Sequence, residues 1–284
     1  MQHIFLISLL GIAILTSCKK REIELPPFPD EYTRSFEKFY GGDKEDRANE
    51  IAILDDALYV VGTTESAGEG AGDILLLKID ELGKELFRKT YGGIGAEEGE
   101  GVITLADNNL LIIGSTESFG AEKEIWLIKV DANGKEIWSR TFGGPAYDAP
   151  FDAIEHSNGE ISVLGSSTSF GTGDLDILYV RFSALGDVLF HKVYGGAKTD
   201  GGADIIETKD GNLMMFCYTA SQGAGDRDFL LLKTNQQEIL YGQKLMAAQI
   251  MRKVRPCDYW MMEAIYFVGT LQAQIQFITC MLFV

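Results

Sequence analysis

From about residue 40 to residue 245 the chain alternates short apolar runs with polar breaks rich in Gly, Asp and Asn. Ile51-Ala52-Ile53-Leu54 is one such run, and Leu58-Tyr59-Val60-Val61 follows a turn at Asp55-Asp56. Ile74-Leu75-Leu76-Leu77 comes after a Gly-rich loop, and Leu86-Phe87-Arg88-Lys89-Thr90-Tyr91 after the turn Asp80-Glu81-Leu82-Gly83. None of the runs keeps helical spacing, so each predicts a strand. The third run is apolar at every position, as expected where both faces of a sheet are covered. The whole pattern then returns. Tyr40-Gly41-Gly42, Tyr91-Gly92-Gly93, Phe142-Gly143-Gly144 and Tyr194-Gly195-Gly196 open successive copies 51, 51 and 52 residues apart. A fixed period of this size marks stacked units that cannot bury their apolar faces alone. Four short antiparallel strands per unit predict an all-β fold, a β-propeller of four-stranded blades. A solenoid is the competing repeat fold, but its strand-plus-helix unit is not seen.

The second strand of each copy ends in a further signature: Gly62-Thr63-Thr64-Glu65-Ser66, Gly114-Ser115-Thr116-Glu117-Ser118 and Gly165-Ser166-Ser167-Thr168-Ser169. The fourth copy departs from it, reading Cys217-Tyr218-Thr219-Ala220-Ser221. Together with the Tyr-Gly-Gly openings, these motifs resemble the SBBP-type β-propeller repeats of bacterial secreted and surface proteins, over roughly residues 36–245. The resemblance implies the fold and a scaffold role. It carries over no catalytic residue.

The ends read differently. Residues 1–17 look like a signal peptide, with an apolar run from Ile4 to Leu15 too short for a comfortable membrane span. The run closes in Leu15-Thr16-Ser17-Cys18, which resembles a bacterial lipobox with Cys18 as the lipidated residue. Palmitate-class chains there would bury many methylenes and anchor firmly. A plain secretory signal or an uncleaved anchor is the competing reading. Residues 18–35 form a tether: Lys19-Lys20-Arg21 faces head groups or water, and Pro26, Pro27 and Pro29 extend the chain. Phe36–Tyr40 reads as a fourth strand without the first three, lent to the last blade of a ring. From Met246 to Val284 the pattern breaks, with one Gly, at 269, and five Met. Reading across codon boundaries, Tyr259-Trp260-Met261-Met262-Glu263 encodes Leu-Asp-Asp-Gly in the neighbouring frame, at the spacing of the turns in the third and fourth copies. We read residues 246–284 as a degenerate tail, the frame-shifted remnant of a fifth repeat.

Composition narrows the chemistry. A net charge of −17 excludes the basic footprint of nucleic-acid binding. The four cysteines show no metal-ligand spacing, and Cys217 is expected to be a small buried residue. His156 and His191 do not recur between copies and are expected at the surface. No cofactor site, metal centre or catalytic set emerges from spacing. One register stands out. Asp46, Glu97, Asp148 and Asp200 each lie four residues after the second Gly of a copy, and Glu50, Asp152 and Asp204 lie eight after it, with Gly101 breaking the second series. They could ring one mouth of the channel and attract a cation. Equally, each could accept backbone N–H groups in its own turn. A further series, Asp73, Glu124, Asp176 and Asp228, is expected to bridge blades or face solvent.

The expectation that follows is a lipid-anchored cell-envelope scaffold, without catalytic activity, that contacts the membrane through its anchor and binds protein or glycan through its loops. An even spread of polar features argues for binding over catalysis. The alternatives are a periplasmic propeller enzyme of the hydrolase, lyase or dehydrogenase kind, and a truncated, non-functional remnant.

Overall fold

The computed structural model describes residues 36–224, 226–235 and 240–246. The signal peptide, Cys18, most of the tether and the tail beyond Met246 lie outside these residues. The described strands belong to one compact unit that begins at Lys38.

Among the described residues there are four sheets of four antiparallel strands. The first holds β1 (Asp46–Leu54), β2 (Ala57–Thr64), β3 (Asp73–Asp80) and β4 (Glu85–Tyr91). The second holds β5 (Glu97–Thr104), β6 (Leu110–Thr116), β7 (Glu124–Val130) and β8 (Glu136–Phe142). β9 (Asp148–Glu155), β10 (Ile161–Ser167), β11 (Asp176–Phe182) and β12 (Val188–Tyr194) form the third. The fourth comprises β13 (Asp200–Glu207), β14 (Leu213–Thr219), β15 (Asp228–Thr234) and β16 (Leu240–Met246). Each sheet is a meander in sequence order. The expected runs of the four repeats all fall within strands, whereas Phe36–Tyr40, expected as a lent strand, forms none. The first strand of each sheet starts about five residues earlier than its apolar run, because its leading half mixes charged and small residues and carries no sustained apolar run.

Three cores lie between successive sheets. Tyr59, Val61, Ile74 and Leu76 of the first sheet meet Val102, Ile112, Trp126 and Ile128 of the second. Ile113, Ile125 and Leu127 turn the other way, onto Val163, Leu178 and Val180 of the third. Tyr179 and Ile177 then meet Met215, Cys217 and Leu230 of the fourth. Strand alternation explains the sorting: neighbours such as Ile125 and Trp126 point to opposite faces, so a middle sheet is apolar on both. The first strands pack on one another in succession, β1 on β5, β5 on β9 and β9 on β13. Four-stranded meanders stacked in this way have the organisation of propeller blades.

Every first strand carries a β-bulge, where pairing skips Asn49, Glu100, Phe151 and Ala203. The glycine of the Gly-Thr-Thr signature answers it. A Cβ on Gly62 would lie 1.8 Å from the Arg47 carbonyl oxygen, and one on Gly165 2.2 Å from that of Ala149. The kinked first strand passes too close for any side chain at those positions.

Candidate functional site

The carboxylates four residues after each Gly pair open the first strands, and each folds back on its own loop. Asp148 Oδ2 accepts the Gly144 N–H at 2.7 Å and the Ser169 hydroxyl at 2.6 Å. Asp200 Oδ2 does the same with Gly196 at 2.8 Å and Ser221 at 2.6 Å. Glu97 accepts Gly93 N–H and the Thr116 hydroxyl, both at 2.8 Å. Asp46 takes Gly42 and Ser66 at 2.7 Å and also the Thr64 hydroxyl, a set of bonds led by Thr64 that holds its pKa below the ordinary value. Glu97, Asp148 and Asp200 are fully buried. In the third copy Ser167 stands where the others have Thr, and Asp148 Oδ1 is buried without a hydrogen-bond partner among the described residues. Among those residues no group of three or more His, Cys, Asp and Glu is placed to hold a metal ion.

The second carboxylate series behaves differently, because the bulge re-aims it. Glu50 reaches from the first sheet to the second, where its Oε2 accepts the Val102 N–H at 2.9 Å. Asp152 reaches from the third to the fourth, with Oδ2 on Ile205 N–H at 2.9 Å and Oδ1 on Ala153 N–H at 2.7 Å. Gly101 now has a reason to break the series: a Cβ there would sit 2.6 Å from Glu50 Oε2. Glu50 occupies the space that a side chain at 101 would need.

These carboxyl groups sense one another across the inner strands. Burial, then a hydrogen bond from Asp204 and its charge, push Asp152 up from the ordinary 3.8 to about 7, against the opposing pull of the Ile205 N–H. Glu50 is also raised, first by desolvation and then by the Asp204 charge, while Val102 N–H works against it. Asp204 itself is exposed. On the inner strands β1, β9 and β13, the Asp204 charge thus lies within electrostatic reach of both Glu50 and Asp152. A like charge nearby and the loss of solvent both favour the protonated form of Asp152. The spacing of eight from the Gly pair is legible in the sequence, but the reach between sheets is not.

Other expectations separate cleanly. His156 is not at the surface. It is buried between the third and fourth sheets, with Nδ1 2.8 Å from Glu207 Oε2 and Nε2 2.7 Å from Ser162 Oγ. Arg181 bonds to Ser162 and to Glu160, both at 2.9 Å. Burial, then the Arg181 charge, hold the His156 pKa below its ordinary value. The Ser-His-Glu order resembles a catalytic set, but Ser162 is fully buried, so the network ties two sheets together. His191 is exposed, against Phe142 and Phe170. Cys217 is buried in the third core, as its small apolar character leads one to expect, and burial pushes its thiol up to about 12. Asp73, Glu124, Asp176 and Asp228 each accept an N–H of the loop before them, as Asp176 does from Thr172 at 2.9 Å and Gly173 at 2.8 Å. Among the described residues no helix is long and apolar enough to cross a membrane.

No family model matches the chain. Among curated proteins it is similar to the Regulatory protein FlaEY of Caulobacter vibrioides, 25% identical over 183 residues, covering 54% of this chain and 19% of that one. The chain thus spans about a fifth of the length of this relative. Among solved structures it is similar to a thermostable family-43 glycoside hydrolase at 14% identity and TM-score 0.43, covering 69% of this chain and 73% of that one. It is also similar to an endo-arabinase from Bacteroides thetaiotaomicron at 12% identity and TM-score 0.45, covering 68% and 77%. At these identities the likeness concerns the fold. Both of these solved structures carry enzyme names, against the expectation of a chain without catalytic activity. The premise behind that expectation also fails in the structure, because Glu50, Asp152 and Asp204 are not evenly repeated around the inner strands.

Proposed function

We propose that this chain is an envelope-anchored β-propeller hydrolase acting on glycosidic bonds at its inner-strand carboxyl groups. What carries the reading is the half-buried Asp152 carboxyl group, which accepts the Ile205 N–H of the next sheet at 2.9 Å and the Ala153 N–H at 2.7 Å and is raised to about 7 by burial and by Asp204. Acetal cleavage needs two things that carboxyl groups can supply unaided: an acid that protonates the leaving oxygen, and an ionised partner that activates water or attacks the sugar. Asp152 is the general acid, kept protonated by burial and by Asp204. Glu50, fixed by the Val102 N–H on a different sheet, is the base or nucleophile. A general acid is most effective when its pKa lies near the working pH.

The anchor is Cys18, supported by the Leu15-Thr16-Ser17-Cys18 sequence, with residues 18–35 as the tether that holds the folded body off the membrane. This gives a cell-envelope location and a polymer substrate met at the surface. The test is turnover of a panel of aryl glycosides and polysaccharides by the full chain, by D152N and by E50Q. Activity with at least one substrate, reduced at least a hundredfold in both variants while both stay folded, is expected. No turnover anywhere in the panel ends the reading, and cleavage of peptides instead would move the same pair to another substrate class. Metabolic labelling with palmitate, lost in C18S, checks the anchor.

A further inference from the structure

Two neighbouring rims of the stack are built from corresponding residues, and one is filled while the other is open. On the second sheet Trp126 pairs with Thr141 and Ile128 with Ser139, so all four side chains face the first sheet. On the third, one repeat on, Leu178 pairs with Val193 and Val180 with His191, on the face turned to the second sheet. There the His191 ring closes the rim. Its centroid lies 5.4 Å from that of Phe142 and 4.8 Å from that of Phe170, and those two rings stack at 5.6 Å. Between the first and second sheets Tyr91 corresponds to Phe142, Phe119 to Phe170 and Ser139 to His191. Ser139 has no ring to fill the space, and a cleft of about 440 Å³ opens. That lies within the usual size of a small-ligand site.

The cleft's walls are aromatic and its polar groups are mostly hydroxyls. Phe119 is 52% exposed and leans on Trp126, with centroids 5.0 Å apart. Trp126 stands where the other repeats have Leu75, Leu178 and Leu230, so this pair occurs in one repeat alone. The Tyr91 hydroxyl donates to the Gly134 carbonyl at 2.7 Å, which fixes its ring. Ser139 donates to Glu136 Oε1 at 2.8 Å, and Thr141 brings a second hydroxyl. Arg140 is the other charged residue of the lining, but its guanidinium lies over Trp138 at 5.8 Å and bonds to the Ser139 carbonyl at 2.8 Å. Glu136 therefore sets the sign of the cleft.

This combination is selective. An exposed aromatic face takes the apolar side of a ligand. Hydroxyls and a carboxylate beside it favour groups that donate as well as accept. A sugar ring has both, an apolar C–H face and an edge of hydroxyls. A sugar acid would be repelled by Glu136, and a proline-rich segment offers carbonyl acceptors with few donors.

We propose that the rim cleft between the first and second sheets binds a neutral sugar residue of a glycan chain, with the C–H face of the ring on Phe119 and its hydroxyls on Glu136, Ser139 and Thr141. The cleft is formed at the outer strands β4 and β8, whereas Glu50, Asp152 and Asp204 stand on inner ones. It is a holding site, separate from the cleavage proposed above, and it takes its ligand class from its own lining rather than from the hydrolase reading.

Affinity electrophoresis of the full chain tests it, in gels carrying soluble xylan, galactan, glucan or mannan and in one carrying polygalacturonate. At least one neutral polysaccharide is expected to retard the wild type, and polygalacturonate is not. F119A removes the platform, and S139H places in the cleft the residue that fills the next rim. Each is expected to weaken the retardation about tenfold with the melting temperature kept. D152N is expected to bind as the wild type does, which separates a failure of this site from a failure of the hydrolase reading. No retardation in any neutral gel, retardation that both variants keep, or equal or greater retardation by polygalacturonate overturns the proposal. Hydroxyl-radical footprinting of the unaltered chain gives a reading that needs no variant. With the retarding polysaccharide at saturation, Phe119 is oxidised more slowly while Leu185, 68% exposed, is unchanged. Equal protection of the two, or none, overturns the proposal.

Discussion

Replacing Asp152 by Asn isolates the proton that the inner strands hold. In the folded protein burial and Asp204 raise Asp152 from 3.8 to about 7. A shift of this size, at about 1.36 kcal/mol per unit, sets a ceiling of about 4 kcal/mol on the cost of ionising the group in the fold. Asp152 is only half-buried, so solvent screening brings the cost down to about 2 to 3 kcal/mol. The sign follows from linkage. The folded state binds this proton more tightly than the unfolded chain does. Its contribution to stability is therefore complete below about pH 4 and is lost as pH rises through 7. Asn cannot ionise, and it keeps one carbonyl oxygen for the Ala153 or Ile205 N–H, giving up one hydrogen bond worth about 1 kcal/mol. D152N is thus expected to be about 1 kcal/mol less stable than the wild type near pH 4.5 and about 1 to 2 kcal/mol more stable near pH 8.5. Urea unfolding of both proteins at the two pH values measures this crossover, and taking the difference cancels the other titrating groups. If the stability gap between the proteins is the same at both pH values, Asp152 does not hold a proton in the neutral range, and the acid role falls with it.

Gly101→Ala should cost about 1 kcal/mol, because the new Cβ displaces the Glu50 carboxylate from the Val102 N–H. In a Glu50→Ala background the same change should be close to neutral, and a double-mutant cycle reads the difference. His156→Ala should destabilise by about 2 to 4 kcal/mol at pH 8 by stripping partners from buried Arg181 and Ser162. Since the folded His156 pKa is depressed, the wild-type contribution is present above pH 6.5 and fades as pH falls through the folded value, so the thermal stability of the variant should show a flatter profile between pH 5 and 7. Ser167→Thr brings to the third copy the residue found in the other three and offers Asp148 Oδ1 a hydroxyl held by a restricted χ1. A gain of about 0.5 to 1.5 kcal/mol by calorimetric unfolding is expected.

Much of this molecule was written in local pattern. The period, the Gly-bounded apolar runs and the fully apolar third strands determine four meanders and their doubly covered faces, because strand alternation sorts neighbours such as Ile125 and Trp126 without reference to anything distant. The burial of Cys217 in the position of Gly62 and Gly114 follows in the same way. What the tertiary structure decided lies where one sheet touches the next. The bulges at Asn49, Glu100, Phe151 and Ala203 leave no mark in hydropathy, yet they turn Glu50 and Asp152 onto neighbouring sheets and give Gly101 its purpose. His156 reads as an unremarkable turn residue until Glu207 and Arg181, distant in sequence, close around it. Proton affinity depends on burial and on charges brought together in space. A linear chain records neither, so the split between loop-holding Asp148 and proton-holding Asp152, four residues apart, belongs to the fold alone.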